Sequence, residues 1–324
     1  MSEIQELQKS IAEELKALND RIDMALKSPN EMLNSINRNY LSVKGKQVRP
    51  IVVMLSAKIA SGYVNDKAIK GGAAIELLHN ASLIHDDVVD ESRERRGRET
   101  INALWDNHIA VLVGDYFTTT ALNCAIDTNE LKIINSICRL GQKLSLGELD
   151  QIQNARNNLL SEEAYMQVIE RKTASLFVAC AEIGCYAVDA SDEVIKRLSE
   201  FALLFGLCFQ IRDDIFDYYT DTVGKPTGND LRDGKVTLPL LHVLLRSDLP
   251  DNKEMQTLCN SDKLNEREIE TLIEYAKING GIDYAWQRMN ELQKKAEDIL
   301  NFFEESEAKR QMLQLLSYVV TRDY

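Results

Sequence analysis

The stretch His79-Asn80-Ala81-Ser82-Leu83-Ile84-His85-Asp86-Asp87-Val88-Val89-Asp90-Glu91-Ser92-Arg93-Glu94-Arg95-Arg96-Gly97 begins as an apolar helical segment and ends as a run of charge. Asp86 and Asp90 stand four apart on one helix face, where like charges repel by about a few tenths of a kcal/mol. They also pool at the C-terminal end of the helix, where the macrodipole disfavours anions. A bound divalent cation reverses both penalties. His79 lies about two turns before Asp86, so the two share a face. Alone, such a motif reads as a solvated helix end, and His79 as a core histidine.

The spacing recurs. Asp213-Asp214-Ile215-Phe216-Asp217 closes Phe205-Gly206-Leu207-Cys208-Phe209-Gln210-Ile211-Arg212, an even more apolar setting in which unpaired carboxylates are expensive. Two such motifs with basic residues nearby are the layout of a metal-diphosphate site. Hard ions such as Mg²⁺ take carboxylate and phosphate oxygens and keep several waters.

Outward from the motifs, the pattern is helical throughout. Only 15 Gly and 5 Pro punctuate the 324 residues. Ile4, Leu7, Ile11, Leu15, Leu18, Ile22 and Leu26 recur at steps of three and four, one apolar stripe on a charged helix. The periodicity predicts helices near 3–26, 31–41, 50–61, 66–91, 101–126, 129–156, 162–188, 191–219, 235–246, 265–278, 282–303 and 305–320. Polar connections at 92–100 and 220–234 each follow an aspartate motif. The candidate residues interleave along the chain, so a single all-α domain over residues 1–324 is expected.

A net charge of −13 excludes a nucleic-acid surface, which would be basic. Residues 1–10 hold no signal-type apolar core, and no run of 18 apolar residues occurs, so a cytoplasmic protein without stable membrane insertion is expected. The strongly acidic polar face of the N-terminal helix favours core burial or dimer packing over a bilayer. Cys124, Cys138, Cys180, Cys185, Cys208 and Cys259 show no C-x-x-C spacing, which points to reduced, buried thiols.

Smaller basic islands complete the set. Lys44-Gly45-Lys46-Gln47-Val48-Arg49-Pro50 puts cations just before a helix, where free N–H groups favour an anion. Arg171-Lys172-Thr173-Ala174 interrupts an apolar helix. Lys225 and Lys235 lie among glycines that let backbone approach a ligand. Each alone reads as snorkelling or a surface loop.

The ordered series Gly45-Lys46-x-x-Arg49-Pro50, His79, both aspartate motifs, Arg95-Arg96-Gly97, Val113-Gly114-Asp115, Gly147-Glu148-x-x-Gln151, Lys172-Thr173, Phe209-Gln210, Gly224-Lys225-x-x-Gly228 and Gly234-Lys235-x-Thr237-Leu238-Pro239 resembles the trans-isoprenyl diphosphate synthases, the polyprenyl synthetase family, over residues 40 to 242. The resemblance implies antiparallel helices around a deep central cavity, usually in a homodimer, and an Mg²⁺-dependent prenyl transfer from an allylic diphosphate to isopentenyl diphosphate. It implies three Mg²⁺ held by Asp86, Asp87, Asp90, Asp213, Asp214 and Asp217. Arg95, Lys172, Thr173, Gln210, Lys225 and Lys235 would bind the allylic diphosphate, and Gly45, Lys46, Arg49, His79 and Arg96 isopentenyl diphosphate. Gln47 stands where the family commonly has a basic residue, Glu99 where proline is frequent, and Trp105-Asp106-Asn107 departs from a small-residue stretch.

Ala81 and Ser82, about one turn before Asp86, are small where the family's short-chain members carry aromatic blocks, so a medium or long product beyond C15 is expected, with its floor near Leu77, Leu78, Tyr116 or Thr119. The alternatives are a C15 or C20 synthase of the same family and a non-catalytic subunit of a heteromeric synthase. A class I terpene cyclase would lack the second aspartate motif and the Lys46/Arg49 island. A metal phosphohydrolase finds too few ligands in His79, His85, His108 and His242.

Overall fold

The structure, a computed structural model, describes residues 3–42, 45–95, 97–219, 227–261 and 263–322. In chain order the helices are α1 (Glu3–Ser10), α2 (Ala12–Ala25), α3 (Glu31–Leu41), α4 (Val48–Ser61), α5 (Asp66–Val89), α6 (Ile101–Leu104), α7 (Asn107–Ile126), α8 (Leu131–Arg156) and α9 (Glu162–Ile169). A π-helical turn, Glu170–Ala174, leads into α10 (Ser175–Ala187). Then follow α11 (Asp192–Phe216), α12 (Asn229–Arg232), α13 (Leu238–Leu244), α14 (Asn252–Cys259), α15 (Glu266–Ile278), α16 (Gly281–Leu300) and α17 (Glu307–Thr321). Among the described residues the strands are β1 (Glu94–Arg95) and β2 (Arg98–Glu99), an antiparallel pair with Glu94 opposite Glu99.

The all-α expectation holds, with local corrections. The helix predicted over 3–26 breaks at Ile11 (φ −126°, ψ 30°). The one predicted over 101–126 stops at Trp105 and restarts because Asp106 caps α7, its Oδ1 accepting from the Ile109 N–H at 2.8 Å. That cap gives the departure at Trp105-Asp106-Asn107 a physical reason. The expected loop at 92–100 contains the small hairpin, and α14 was not predicted. Its cue is long-range: buried Asn252 donates to the carbonyls of Val243 and Leu244, both at 3.0 Å.

The chain divides into two compact units. The first draws on Met1–Gln142, Leu176–Ala202 and Ile299–Leu315. Here α5 packs against α2, α4 and α7. Ala73, Ala74, Ile75, Leu77 and Leu78 are inside, and the whole N-terminal stripe from Ile4 to Leu26 is buried. Core burial is therefore what the stripe does, each fully buried Leu or Ile contributing about 1.5–3 kcal/mol. The second unit draws on Lys143–Ser175, Leu203–Asp298 and Leu316–Tyr324. Its core includes Tyr165, Ile169, Ile211, Ile215, Leu240, Leu272 and Met289.

α7 is the one described helix long and apolar enough by length and composition to cross a membrane. It carries Asp115 in its middle, and Ala110, Val113, Phe117 and Ala121 are buried in the first unit. Its exposed residues include Val111, Leu112 and Ile126. Cys124, Cys180, Cys185 and Cys208 are buried free thiols, as expected, whereas Cys138 is exposed and Cys259 half-buried.

Candidate metal and diphosphate sites

In the first unit, Asp86 and Asp87 occupy the last turn of α5 and Asp90 is its C-cap. Asp86 and Asp90 are half-buried on one face. Asp87 lies about 100° round the helix and is 3% exposed, with Arg95 Nε donating to its Oδ1 at 2.7 Å. Burial pushes the Asp87 carboxyl up, Arg95 opposes this, and the Asp90 charge adds to the rise. The Asp87 carbonyl also accepts from the Ser92 N–H at 2.9 Å and from Asn102 Nδ2 at 3.2 Å. The hairpin is thereby tied to the motif, and Arg95 reaches the site through Asp87.

His79 is buried. His85 Nε2 lies 3.4 Å from Asp115 Oδ1, and its ring lies flush against Gly114, where a Cβ would fall 2.2 Å from that nitrogen. The glycine of Val113-Gly114-Asp115 is thus a close-approach position. Gly45, half-buried, and Lys46, exposed, precede α4, and Arg49 lies in its first turn with its guanidinium 5.4 Å from the Phe177 ring centroid. A cavity of about 500 Å³ is lined by Gly45, Gln47, Asn80, Leu83, Asp87 and Arg95 among others. Ala81 is buried at 1% exposure, and Ser82 is half-buried with its hydroxyl on the His79 carbonyl; neither lines that cavity. Of the expected floor residues, Leu77 and Leu78 are buried, Tyr116 half-buried and Thr119 exposed. Lys44, Arg96, Gly224 and Lys225 lie outside the described residues.

In the second unit Lys172, Thr173, Gln210, Asp214 and Lys235 converge on one cavity, which Asp213 and Asp217 do not line. Thr173 Oγ1 donates to Gln210 Oε1 at 2.6 Å, Gln210 Nε2 to Asp214 Oδ1 at 2.8 Å, and the Tyr165 hydroxyl to Asp214 Oδ2 at 2.6 Å. Burial pushes the Asp214 carboxyl up to about 7; Tyr165 and Gln210 oppose this, and the charges of Asp213 and Asp217 add to it. Lys172 pairs with Glu148 and donates to Gln151 Oε1 at 3.4 Å, while Lys235 donates to Asp233 at 3.0 Å. Lys172 and Thr173 sit in the π-turn, a device common at functional sites because it re-aims side chains within a helix. Gly147 of α8 permits this, since a Cβ there would stand 3.0 Å from both the Arg171 Cβ and the Lys172 backbone nitrogen. A cavity of about 260 Å³ is lined by Tyr165, Lys172, Thr173, Gln210, Asp214 and Lys235, with apolar walls from Leu160, Val168 and Leu241.

Several participants were not read from the sequence. Tyr165 holds Asp214, and Arg322 pairs with Asp213 while its guanidinium lies over the Phe209 ring. Asp230 also lines the second cavity, its carboxyl pushed well up by burial and then by the Asp214 and Asp217 charges. The Asp217 carboxylate accepts from the backbone N–H groups of Asn229 (2.9 Å) and Asp230 (3.0 Å), capping α12.

Among the described residues no three acidic, histidine or cysteine side chains converge tightly enough to form a metal cage. The donor set fits a different kind of ion. Mg²⁺ takes one or two carboxylates and completes its shell with water and phosphate, and a buried carboxylate pushed up by neighbouring anions is a place where a cation would relieve charge.

Residues 30–276 match the Polyprenyl synthetase family. The chain is 32% identical over 323 residues to the octaprenyl diphosphate synthase of Haemophilus influenzae, covering 99% of this chain and 98% of that one. Its fold is similar to that of the polyprenyl synthase from Caulobacter crescentus CB15, solved with calcium and isoprenyl diphosphate (TM-score 0.92, 29% identity, 99% and 98% of the two chains). It is also similar to a geranylgeranyl pyrophosphate synthase from Bacteroides thetaiotaomicron (TM-score 0.86, 37% identity, 99% and 100%). With its motifs, its helical architecture and its likeness over nearly the full length, the chain belongs to the polyprenyl synthetase family.

Proposed function

We propose that this chain is an Mg²⁺-dependent prenyltransferase that condenses isopentenyl diphosphate head to tail (1'-4) with an allylic diphosphate, releasing an all-trans polyprenyl diphosphate longer than C15. The observation that carries the proposal is the cavity of the second unit, where Lys172, Lys235, Thr173 and Gln210 line one space with Asp214. Two cations and two hydrogen-bonding groups suit a diphosphate. The carboxylate beside them suits one only with a metal between.

Three Mg²⁺ would be held by Asp86, Asp87 and Asp90 and by Asp213, Asp214 and Asp217, both motifs serving the one reaction; bound there, they neutralise charge on the departing diphosphate. Lys172 and Lys235, with Lys225, bind the allylic diphosphate and stabilise the charge that develops as its C1–O bond breaks. Thr173 and Gln210 orient it, Asp214 being held by Tyr165 and Gln210. Lys46 and Arg49, with Gly45, His79 and Arg96, hold isopentenyl diphosphate, whose double bond attacks C1. The proton leaves to the released diphosphate. Apolar walls keep water from the allylic cation.

The octaprenyl name of one relative supports a medium or long product, whereas the geranylgeranyl name of another matches the C20 alternative. The exposed apolar side chains of Leu112 (64%), Ile126 (54%) and Leu131 (68%) in the first unit support a homodimer that would cover them. The whole chain is proposed to act as one synthase domain. Purified protein given farnesyl diphosphate, isopentenyl diphosphate and Mg²⁺ should yield products longer than C15 by chromatography. A distribution ending at C15 would overturn the length, and an unconsumed primer the activity.

A further inference from the structure

The turn that presents Lys46 and Arg49 is held from outside its own helix. α4 begins at Val48, and Gln47 before it lies in the left-handed region at φ 52°, where a non-glycine residue is disfavoured. The Gln47 side chain gives α4 no capping bond. Its Nε2 donates instead to Asn19 Oδ1 on α2 at 3.0 Å. Asn19 is itself fixed, its Nδ2 donating to the Leu15 carbonyl at 2.7 Å, so the amide oxygen is the atom it turns toward Gln47. Within Gly45-Lys46-Gln47, the Lys46 carbonyl accepts from Gln8 Nε2 of α1 at 2.9 Å. The two helices that supply these contacts are anchored by the buried stripe Leu7, Ile11, Leu15, Leu18 and Ile22. Gly45, Gln47 and Asn19 line the same cavity of about 500 Å³ as Asp87 and Arg95.

We infer that Asn19 and Gln8 are positioning residues for isopentenyl diphosphate, holding the left-handed turn at Gln47 so that Lys46 and Arg49 are set for its diphosphate. This rests on the function proposed above and extends the site to α1 and α2. It also gives Gln47 a role its uncharged side chain can fill: a strut to α2 in place of a further cation.

The test is steady-state kinetics with each substrate varied in turn, on wild type, Gln8→Ala, Asn19→Ala, Gln47→Leu and the double variant Asn19→Ala/Gln47→Leu. Loss of one hydrogen bond should raise the KM for isopentenyl diphosphate about three- to tenfold. The KM for the allylic substrate should hold, and the melting temperature should fall by no more than about 2–4 °C. Asn19 and Gln47 share one bond, so the double variant should be no worse than either single one. Equal changes in both KM values, no change in either, or additive effects in the double variant would overturn the inference while wild-type turnover upholds the function. A wild-type chain that consumes no isopentenyl diphosphate would overturn both.

Discussion

The hydroxyl of Tyr165 and the side-chain amide of Gln210 each hold one oxygen of the buried Asp214 carboxylate, at 2.6 and 2.8 Å. Tyr165→Phe removes one of these donors and leaves a buried acceptor short of a partner. In metal-free buffer it should lower stability by about 1–3 kcal/mol, read as a shift of the denaturant midpoint with the slope unchanged. An unshifted midpoint would mean that Tyr165 does not hold this carboxylate.

Gly147→Ala places a methyl group against the π-turn, 3.0 Å from the Lys172 backbone nitrogen. The neighbours must give by a few tenths of an ångström, displacing Lys172 and Thr173. The expected result is a fall in kcat/KM for the allylic substrate of about tenfold or more, comparable to the roughly 1–3 kcal/mol that overpacking costs. Circular dichroism should show the helical fold retained. Unchanged kinetics would separate the π-turn from substrate binding.

Ser82 and Ala81 should differ as sites for shortening the product. Ala81 is 1% exposed, so Ala81→Phe overpacks the first unit and should lower the melting temperature as well as shorten the chain. Ser82 is half-buried, so Ser82→Phe should shorten the product by chromatography with a smaller loss of stability. Product length unaltered by both would remove these positions from the account of chain length.

The His242 ring stacks on Tyr284, with centroids 3.7 Å apart and planes 12° from parallel. Burial first, and then the Arg246 charge, hold its pKa below the ordinary 6.5. The unfolded chain therefore binds this proton more readily than the folded one. The stability is present above pH 6.5 and is lost as pH falls through the folded value. Wild type should lose more stability than His242→Phe between about pH 7.5 and 5.5 by denaturant titration. Equal losses would contradict the assignment.

What was legible in the sequence follows from the range over which each cause acts. The stripe from Ile4 to Leu26 could be read because every buried residue repeats one helical step, and all seven are inside. The interruption at Ile11 could not, since it is a backbone event with no proline or glycine to mark it. The convergence of Thr173, Gln210 and Asp214 was legible only through the family resemblance, since 37 residues separate Thr173 from the Gln210 it bonds. Tyr165 left no signal, being an ordinary aromatic on an amphipathic helix. Arg322 is 109 residues from the Asp213 it pairs with, and no local pattern encodes such a contact. Asp230 was hidden by its setting, because a carboxylate in an expected polar loop reads as solvated, whereas here it is half-buried and lines one cavity with Asp214.

On the function proposed above, the two aspartate motifs bind magnesium so that an allylic diphosphate can depart. The most direct test is incorporation of labelled isopentenyl diphosphate into farnesyl diphosphate by wild type, Asp86→Asn and Asp213→Asn, each with Mg²⁺ or with chelator. Wild type should extend the primer with Mg²⁺ and not with chelator, and each variant should lose at least about a hundredfold of that activity. Extension that survives chelation, or that either variant sustains at the wild-type rate, would contradict that role of magnesium.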